Sequence, residues 1–351
     1  MMNLQRLLGT ELPIIQAPMA GSQGSSLAVA VSSAGGLGSL PGAMLGVEAL
    51  RTEIVAIKAQ TRNPFNVNFF CHEPPEVSPA REAAWRAVLA PYYEELGLDA
   101  GNIPAGPARV PFNAAAAEVI EALLPPVVSF HFGLPSAELL ARVKATGAKV
   151  LSSATTVDEA RWLEARGVDA VIAQGLEAGG HRGIFLSEDL STQVGTFSLV
   201  PQIVRAVKVP VIAAGGIADR QGVAAALALG AAGVQIGTAY LLCPEATTNP
   251  VYRAALKSEA ARHTALTNLF SGRPARGIVN RIMRERGPLS QDTPAFPLAT
   301  AAIAPLRAKA ESLGSGDFSP LWSGQNATGC KEISAGDLTR ELGAGHLSAG
   351  A

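Results

Sequence analysis

Eight short apolar runs, separated by stretches with helical periodicity, constrain the fold of this 351-residue chain more than any other feature. Alternation of strands with helices predicts a parallel sheet, because parallel neighbours need crossover connections. Eight such repeats favour closure into a TIM (β/α)8 barrel of the α/β class. An open doubly wound sheet is the main alternative, but no G-x-G-x-x-G motif follows the first strand. The predicted strands cover residues 13–18, 36–41, 65–70, 127–132, 149–152, 170–173, 209–214 and 233–236.

Two segments interrupt this alternation and divide the chain. Residues 1–243 form the predicted barrel, with a helical insertion at about 71–126. Residues 244–330 form a second segment outside the alternation, here called the second departure, after which the chain returns to the barrel. Residues 331–351 form a tail rich in small residues. The predicted helices of the two departures cover residues 79–96, 113–123, 250–261 and 280–285. We expect both to contribute a lid or small subdomain over the barrel mouth, since loops at that face carry function.

The composition argues against a nucleic-acid partner. Lysine and arginine total 28 and aspartate and glutamate total 29, so the net charge is −1. No run of basic residues is present, and aromatic residues make up only 5% of the chain. A protein that binds nucleic acid needs a basic surface, and often aromatic residues on which bases stack. The chain offers neither of these features.

The cysteines and apolar stretches favour a cytoplasmic protein without a membrane segment. Cys71, Cys243 and Cys330 are far apart and odd in number, which indicates a reducing compartment and no disulfide framework or zinc motif. No H-x-x-x-H spacing is present, so we expect no catalytic metal. Residues 221–244 could span a bilayer by length, but Gln235 and several glycines fit a buried helix followed by a strand. The first residues lack the pattern of a secretory signal.

A glycine-rich segment with one histidine follows the sixth predicted strand. Gln174 ends the strand, Gly179 and Gly180 let the backbone approach a ligand closely, and His181 can transfer protons near neutral pH. The carboxyl ends of barrel strands carry the catalytic residues in this fold. We therefore predict that His181 is a catalytic base and that Gln174 faces a ligand.

Two further turns follow the last two predicted strands. Gly215 and Gly216 come after the seventh strand, and the run Gln235, Ile236, Gly237 and Thr238 closes the eighth. Ordinary tight turns would explain either segment alone. As a pair at these two strands they favour a phosphate site, because exposed N–H groups and a hydroxyl bind a phosphate dianion.

Other candidate residues lie near the ends of earlier strands. The first strand ends in Ala17, Pro18 and Met19, which could lie against a flat ligand ring or form a packed turn. Asn68 is an amide within an apolar strand, where a structural hydrogen bond competes evenly with ligand contact. His131 follows the fourth strand, where a place in the lining of the same mouth and a structural role are both open. The phosphate site, the amides and the histidine base together fit FMN, which supplies redox chemistry itself.

The chain resembles the nitronate monooxygenase family, formerly called 2-nitropropane dioxygenases, over nearly its whole length to about residue 326. The family oxidises alkyl nitronates with O₂, releasing nitrite and a carbonyl compound. The resemblance implies a TIM barrel with non-covalent FMN, and a nitro compound or nitronate, such as propionate 3-nitronate, as the small-molecule substrate. The motifs that carry the resemblance lie at residues 16–21, 130–135, 178–183, 214–217, 235–238, 271–277 and 321–325.

The resemblance also implies roles for individual residues. His181 would be the catalytic base, and Asn68, Gln174 and Gly179 would contact the flavin. Gly216 and residues 235–238 would hold the phosphate end, and His131 would lie near the nitro group. His72 is a weaker candidate for the barrel mouth. Tyr252 is a predicted lid residue without an assigned role.

Two alternatives stay open. Flavin-dependent enoyl-ACP reductases share the Ala-Gly-Gly-His sequence found at residues 178–181 and the phosphate turns, and they take electrons from a nicotinamide, as NAD(P)H:quinone-type oxidoreductases do. The insertion at 71–126 and the motif at 271–277 fit the monooxygenases better. A barrel that binds flavin without catalytic activity is the third possibility. The sequence predicts no oligomeric state.

Overall fold

Eight parallel strands form the centre of the fold. A computed structural model describes residues 4–101, 103 and 109–345. The strands run parallel in the spatial order β1-β9-β8-β6-β5-β4-β3-β2, where β7 belongs to a separate small sheet. This confirms the predicted α/β barrel. The eight strands are β1 (Ile14–Gln16), β2 (Gly38–Pro41), β3 (Phe65–Phe70), β4 (Val127–His131), β5 (Lys149–Ala154), β6 (Ala170–Gln174), β8 (Val211–Ala214) and β9 (Gly233–Ile236).

The sheet closes on itself between its first two strands. Ile15 forms a parallel bridge with Leu37, just before β2. The Leu37 amide donates to the Ile14 carbonyl at 2.9 Å, and the Gln16 amide donates to the Leu37 carbonyl at 3.0 Å. Closure therefore leaves no long unpaired edge. A short helix, α1 (Leu4–Leu8), packs its buried leucines against the apolar residues inside the barrel.

Helices surround the strands and begin at polar capping residues. Ser136, Thr156 and Asp219, for example, each accept a hydrogen bond from an amide in the first turn of the helix that follows. Such caps satisfy N–H groups that have no partner within the helix. The helices that follow the strands are α2 (Ser25–Ser33), α3 (Val47–Gln60), α5 (Ala114–Leu123), α6 (Ala137–Ala145), α7 (Val157–Ala165), α8 (Thr196–Ala206) and α9 (Arg220–Ala228).

The eighth helix of the ring comes from the end of the described chain. Helix α13 (Ala335–Gly343) packs against both α2 and α9, beside β1. Its buried residues Ala335, Leu338 and Leu342 recur at helical spacing. This helix lies in the segment predicted as a tail and was not predicted from the sequence, because glycine and alanine obscure the pattern. Residues 346–351, the end of the predicted tail, lie outside the described part of the chain.

The two departures from the barrel pack against each other. Helix α4 (Pro79–Glu95), from the insertion, contacts α12 (Ala299–Ser312), which the sequence analysis also did not predict. Trp85 on α4 is fully buried in their shared apolar cluster, and the Tyr93 hydroxyl donates to the Ala302 carbonyl at 2.6 Å. The other helices of the second departure are α10 (Pro250–Lys257) and α11 (Arg281–Arg286).

A small antiparallel sheet joins the second departure to the barrel. Strands β10 (Thr264–Thr267) and β11 (Ala275–Ile278) pair with each other, and β11 pairs with β7 (Gly180–His181). In this register His181 lies opposite Ala275. The loop after β6 is therefore held by backbone hydrogen bonds to residues almost one hundred positions later.

None of the helices in the described ranges is long and apolar enough to cross a membrane. The apolar stretch at 221–244 forms α9 and β9, as its glycines indicate. The described residues also contain no group of three or more His, Cys, Asp or Glu side chains suited to a metal ion.

We expect Leu342→Ala to destabilise the barrel. The Leu342 side chain is 1% exposed on α13, and its truncation leaves a cavity beside the first strands. The free energy of unfolding should fall by about 2–5 kcal/mol, measured by urea titration. Leu313→Ala is the matched control, because Leu313 is 65% exposed and should lose less than about 1 kcal/mol. Equal losses would contradict a barrel role for α13.

Candidate active site

A large cavity opens at the carboxyl ends of the barrel strands. Its space, counted out to the mouth, is about 1370 Å³. Every residue that the sequence analysis proposed for cofactor or substrate lines it. None of the described lining residues is an aspartate or glutamate.

The two predicted phosphate turns lie at one end of this cavity. Gly215 and Gly216 have positive φ angles of 121° and 73°, which side chains other than glycine rarely adopt. Gly237 precedes a short 3-10 helix that begins at Thr238, so its first N–H groups have no partner within the helix. The turns therefore present amide donors to the cavity, as a phosphate would require.

The segment after Trp322 completes this end, and the sequence analysis did not assign its residues to a site. The Gly324 amide donates to the Thr238 hydroxyl at 3.0 Å, and the Asn326 amide group donates to the Gly216 carbonyl at 3.2 Å. Gly179 lies so close that a Cβ there would be 2.5 Å from the Gly324 nitrogen. Glycine at residue 179 is thus required by this close backbone approach.

The cavity wall next to these turns carries amides. Gln235 lines the cavity, and its buried Oε1 has no hydrogen-bond partner. Such an acceptor is costly unless a ligand supplies a donor. The Asn68 amide group instead donates to the Ser129 hydroxyl at 2.9 Å. Ala17, Pro18 and Met19 form the adjacent apolar part of the wall.

Gln174 lines the cavity and also organises the glycine-rich loop. Its amide nitrogen donates to the His181 carbonyl at 3.0 Å, and its oxygen accepts from the Gly183 amide at 2.7 Å. The side chain therefore bridges both sides of His181. The sequence predicted that Gln174 faces a ligand, and the structure shows that its side chain also holds the glycine-rich loop.

Arg182, in the same loop, is fully buried. Its guanidinium donates to the Gln174 and Gly175 carbonyls, each at 2.7 Å, and to Gln193 Oε1 at 3.0 Å. Burial lowers the pKa of Arg182 to about 10, so it stays charged at neutral pH. No role was predicted for Arg182 from the sequence, because an arginine next to a glycine-rich turn resembles a surface charge.

The His181 imidazole lies among aromatic rings. Ring centroids of Phe296 and Trp322 are 5.3 Å and 5.4 Å from its own. Its Nε2 is hydrogen-bonded to the Ser271 hydroxyl at 2.8 Å, which fixes the orientation of the ring. Burial, followed by the positive charge of Arg109, lowers the pKa of His181 well below its usual 6.5. The ring is therefore neutral near pH 7 and able to accept a proton.

Both ring nitrogens of His131 have protein partners. Nε2 lies 3.1 Å from the His181 carbonyl, which only accepts, so this nitrogen carries the proton. Nδ1 then accepts from the Ser153 hydroxyl at 3.0 Å. Burial lowers the pKa of His131 to about 3. His131 lines the cavity, and its hydrogen bonds support the loop of His181.

No role was assigned from the sequence to two lining residues, Tyr252 and Trp322, or to two residues outside the lining, Ser271 and Arg273. Tyr252 lines the cavity and its hydroxyl donates to the Trp322 carbonyl. Ser271 and Trp322 lie in motifs that carried the family resemblance, which could have signalled them. Arg273 stacks over Phe132, with its guanidinium carbon 4.0 Å from the ring centroid.

Arg109 and His72 both come from the insertion, and of the two only Arg109 is among the residues that line the cavity. Arg109 lines the cavity, and no motif in the sequence indicated it. His72 is buried against Phe296, with ring centroids 4.8 Å apart, and burial lowers its pKa to about 4. His263 is exposed and outside the cavity. His346 lies outside the described residues.

Comparison with known proteins gives consistent matches. A sequence model of the family described as nitronate monooxygenase matches residues 2–345. The chain is 43% identical over 342 residues to the nitronate monooxygenase of Pseudomonas aeruginosa, covering 96% of this chain and 97% of that protein. The nitroalkane oxidase of Streptomyces ansochromogenes has a TM-score of 0.88 at 39% identity, covering 97% of this chain and 96% of its own. FabK of Thermotoga maritima has a TM-score of 0.69 at 30% identity, covering 97% and 95%.

Three buried histidines predict that acid destabilises the folded protein. The folded pKa values of His72 and His131 are about 4 and about 3, and that of His181 also lies well below 6.5. Between these values and about 6.5 the unfolded chain binds more protons, so stability is lost as the pH falls through this window. We expect the free energy of unfolding to fall by up to about 1.4 kcal/mol per pH unit for each histidine between about pH 6 and pH 5.

Urea titrations at several pH values measure this slope. His72→Phe removes one of the three histidines while keeping an aromatic ring against Phe296, so its slope should be smaller than that of the parent protein. A profile that is flat from about pH 7 to pH 5 would contradict the neutral state of these side chains.

Proposed function

Because the chain belongs to the nitronate monooxygenase family, we propose that it uses FMN to oxidise alkyl nitronates with O₂, giving nitrite and a carbonyl compound. The observation that carries this proposal is the charge of the cavity around His181. A neutral imidazole lies near the positive charges of Arg109 and Arg273, and no described lining residue is a carboxylate. Such a cavity favours an anion, and a nitronate is the anion of a nitroalkane.

The glycine turns that line the cavity suit the phosphate of FMN. We propose that Gly215, Gly216, Gly237 and Thr238 hold the phosphate, since they present backbone N–H groups and lie in turns after the last two strands. When bound, FMN supplies the electron-accepting chemistry.

The flat part of the cofactor would lie against the amide-lined wall. We propose that Gln235 Oε1, which has no protein partner, accepts a hydrogen bond from the flavin ring. Asn68, Gln174 and Gly179 line the same stretch of the cavity, and Ala17 to Met19, Gly180 and Ile236 complete the surface around them.

His181 would act on the substrate carbon next to nitrogen. A neutral imidazole can take a proton from a nitroalkane, while positive charge nearby stabilises the oxygens on which the negative charge develops. The same positive charge lowers the pKa of His181 and so weakens it as a base. We therefore propose that preformed nitronates, which need no deprotonation, are better substrates than neutral nitroalkanes.

The aromatic rings around His181 would limit water. Phe70, Phe296 and Trp322 each lie within about 6.1 Å of the His181 ring, measured between centroids. We propose that residues 71–126 and 244–330 together form a lid, because the insertion contributes Arg109 and the second departure contributes Tyr252 and Trp322 to the cavity. A dry cavity strengthens electrostatic interactions with a bound anion.

The proposed reaction is tested with the purified protein and its bound flavin. We expect a yellow protein that releases nitrite from propionate 3-nitronate or ethyl nitronate in air, without NADH. Absence of nitrite while flavin is bound would overturn the proposal. Rapid anaerobic bleaching of the flavin by NADH or NADPH, together with no nitrite, would instead favour an enoyl-ACP reductase.

His181→Asn should separate proton transfer from binding. With a neutral nitroalkane we expect kcat/KM to fall by about 10²–10⁴-fold, because general base catalysis contributes that much. With the preformed nitronate the loss should be smaller, since no carbon proton is removed. Nitrite release measures both rates, and His263→Asn is the control because His263 is exposed. Equal losses on both substrates would contradict a role as base.

A further inference from the structure

A buried carboxylate lies beside the loop that carries His181, and no role for it was predicted from the sequence. Glu159 lies in the first turn of α7 and is 1% exposed. No described lysine, arginine or histidine forms a salt bridge with it. A charge buried in this way is tolerated only where hydrogen bonds replace the water that it has lost. The donors around Glu159 therefore indicate what the carboxylate does.

Both oxygens of Glu159 accept hydrogen bonds, and their donors come from two different parts of the barrel. Oε2 accepts from the amide and the hydroxyl of Thr155, at 2.6 Å and 2.7 Å. Oε1 accepts from the amides of Phe185 and Leu186, at 2.6 Å and 3.2 Å. Thr155 directly follows β5, whereas Phe185 and Leu186 come shortly after His181 in the chain. The carboxylate therefore joins the end of a barrel strand to the loop of the proposed base.

The segment at residues 182–186 depends on side chains for its position, because it belongs to neither a helix nor a strand. At its start the Gly183 amide donates to Gln174 Oε1 at 2.7 Å. At its end two consecutive amides donate to Glu159. The Phe185 ring also packs against Trp162 of α7, with ring centroids 5.0 Å apart. Glu159 is thus the acceptor that fixes the end of this segment against α7.

A second connection runs from Glu159 to the residue next to His181. The Thr155 hydroxyl, which donates to Glu159, accepts from Gln193 Nε2 at 3.0 Å. Gln193 Oε1 in turn accepts from Arg182 Nε at 3.0 Å. Burial is the main cause that lowers the pKa of Arg182 to about 10, and the charges of Glu177 and Glu159 oppose this effect. The carboxylate therefore also compensates part of the charge of the buried guanidinium.

We propose that Glu159 is a positioning residue for His181, which it holds in place through the segment at residues 182–186. This inference rests on the proposed function and concerns the same site. An ionised carboxylate suits the role because it only accepts hydrogen bonds and has about four acceptor positions. Glu159 is not among the described residues that line the cavity, so it acts through the loop and not on the substrate. Displacing a reacting group by about 1 Å costs about 10²-fold in rate, so the loop position matters for proton transfer.

The test compares nitroethane, which must lose a carbon proton, with ethyl nitronate, which has already lost it. Glu159→Gln keeps the size of the side chain but replaces one oxygen with an NH₂ group, which cannot accept from the amides that it faces. We expect kcat with nitroethane to fall by about 10- to 100-fold, because the base is displaced. With ethyl nitronate kcat should fall by less than about threefold, since no proton is taken from carbon. Nitrite release measures both rates, and the flavin spectrum should be unchanged.

A double variant distinguishes positioning from a general loss of structure. If Glu159 acts through His181, adding Glu159→Gln to His181→Asn should change kcat with nitroethane by less than about twofold. A residue that only stabilises the fold would instead lower the rates with both substrates equally, and its effect would add to that of His181→Asn.

Hydrogen exchange gives a readout that does not depend on activity. Peptides that cover residues 182–186 should exchange faster in Glu159→Gln, because the amides of Phe185 and Leu186 lose their acceptor. Thr155→Val carries the same test if Glu159→Gln does not fold, since it removes one donor and leaves the carboxylate in place. Its kcat with nitroethane should fall by about 2- to 10-fold, as expected for one hydrogen bond.

Glu164→Gln is the matched control on the same helix. The Glu164 carboxylate also accepts from backbone amides, but these belong to Lys208 and Val209, which follow α8. We expect this variant to leave both rates and the exchange of residues 182–186 unchanged.

Three results would overturn the inference. Equal losses with nitroethane and ethyl nitronate would mean that Glu159 serves the fold in general. A loss that adds to that of His181→Asn would mean that it acts on something other than His181. Unchanged exchange of residues 182–186 would mean that it does not hold the loop. Failure of the proposed function is distinct, because the unaltered protein would then release no nitrite from either compound, while hydrogen exchange would still report on the loop.

Discussion

The candidate site depends on a fully buried guanidinium. Arg182 donates to the carbonyls of Gln174 and Gly175 at the end of β6, and to the side chain of Gln193. Removing a charge from water costs several kcal/mol, so burial is tolerated only where its donors have partners. These hydrogen bonds fold the loop back against its own strand. The preceding residue, His181, is thereby presented to the cavity, while β11 holds it from the other side.

The surroundings of this loop also determine the position and the protonation state of His131 and His181. Because Gln174 and His131 both donate to the His181 carbonyl, two cavity residues contribute to the position of the loop. Burial and nearby cations keep both imidazoles neutral at physiological pH. A cavity with neutral bases, cations and no described carboxylate lining discriminates by charge, which suits an anionic substrate. Arg109 adds a further positive charge to the cavity lining.

Much of the fold was predictable, because hydrophobic periodicity reflects burial. The eight strands and the helices of the insertion agree with their patterns to within a few residues. Helices α12 and α13 were not predicted, since alanine and glycine carry little periodic contrast. Strands β7, β10 and β11 are too short to show a pattern, and β7 is stabilised by pairing with β11, which is distant in sequence.

The sequence by itself determined the barrel, the two glycine turns after the last two strands and the position of His181 after the sixth strand, because each depends on local pattern and on where a strand ends. Only the tertiary structure decided what surrounds that histidine. Ser271, Trp322 and Arg109 come from segments that no local rule joins to β6, and burial made Arg182 a structural cation. A pKa or an uncompensated charge depends on neighbours in space, and the order of residues along the chain does not specify them.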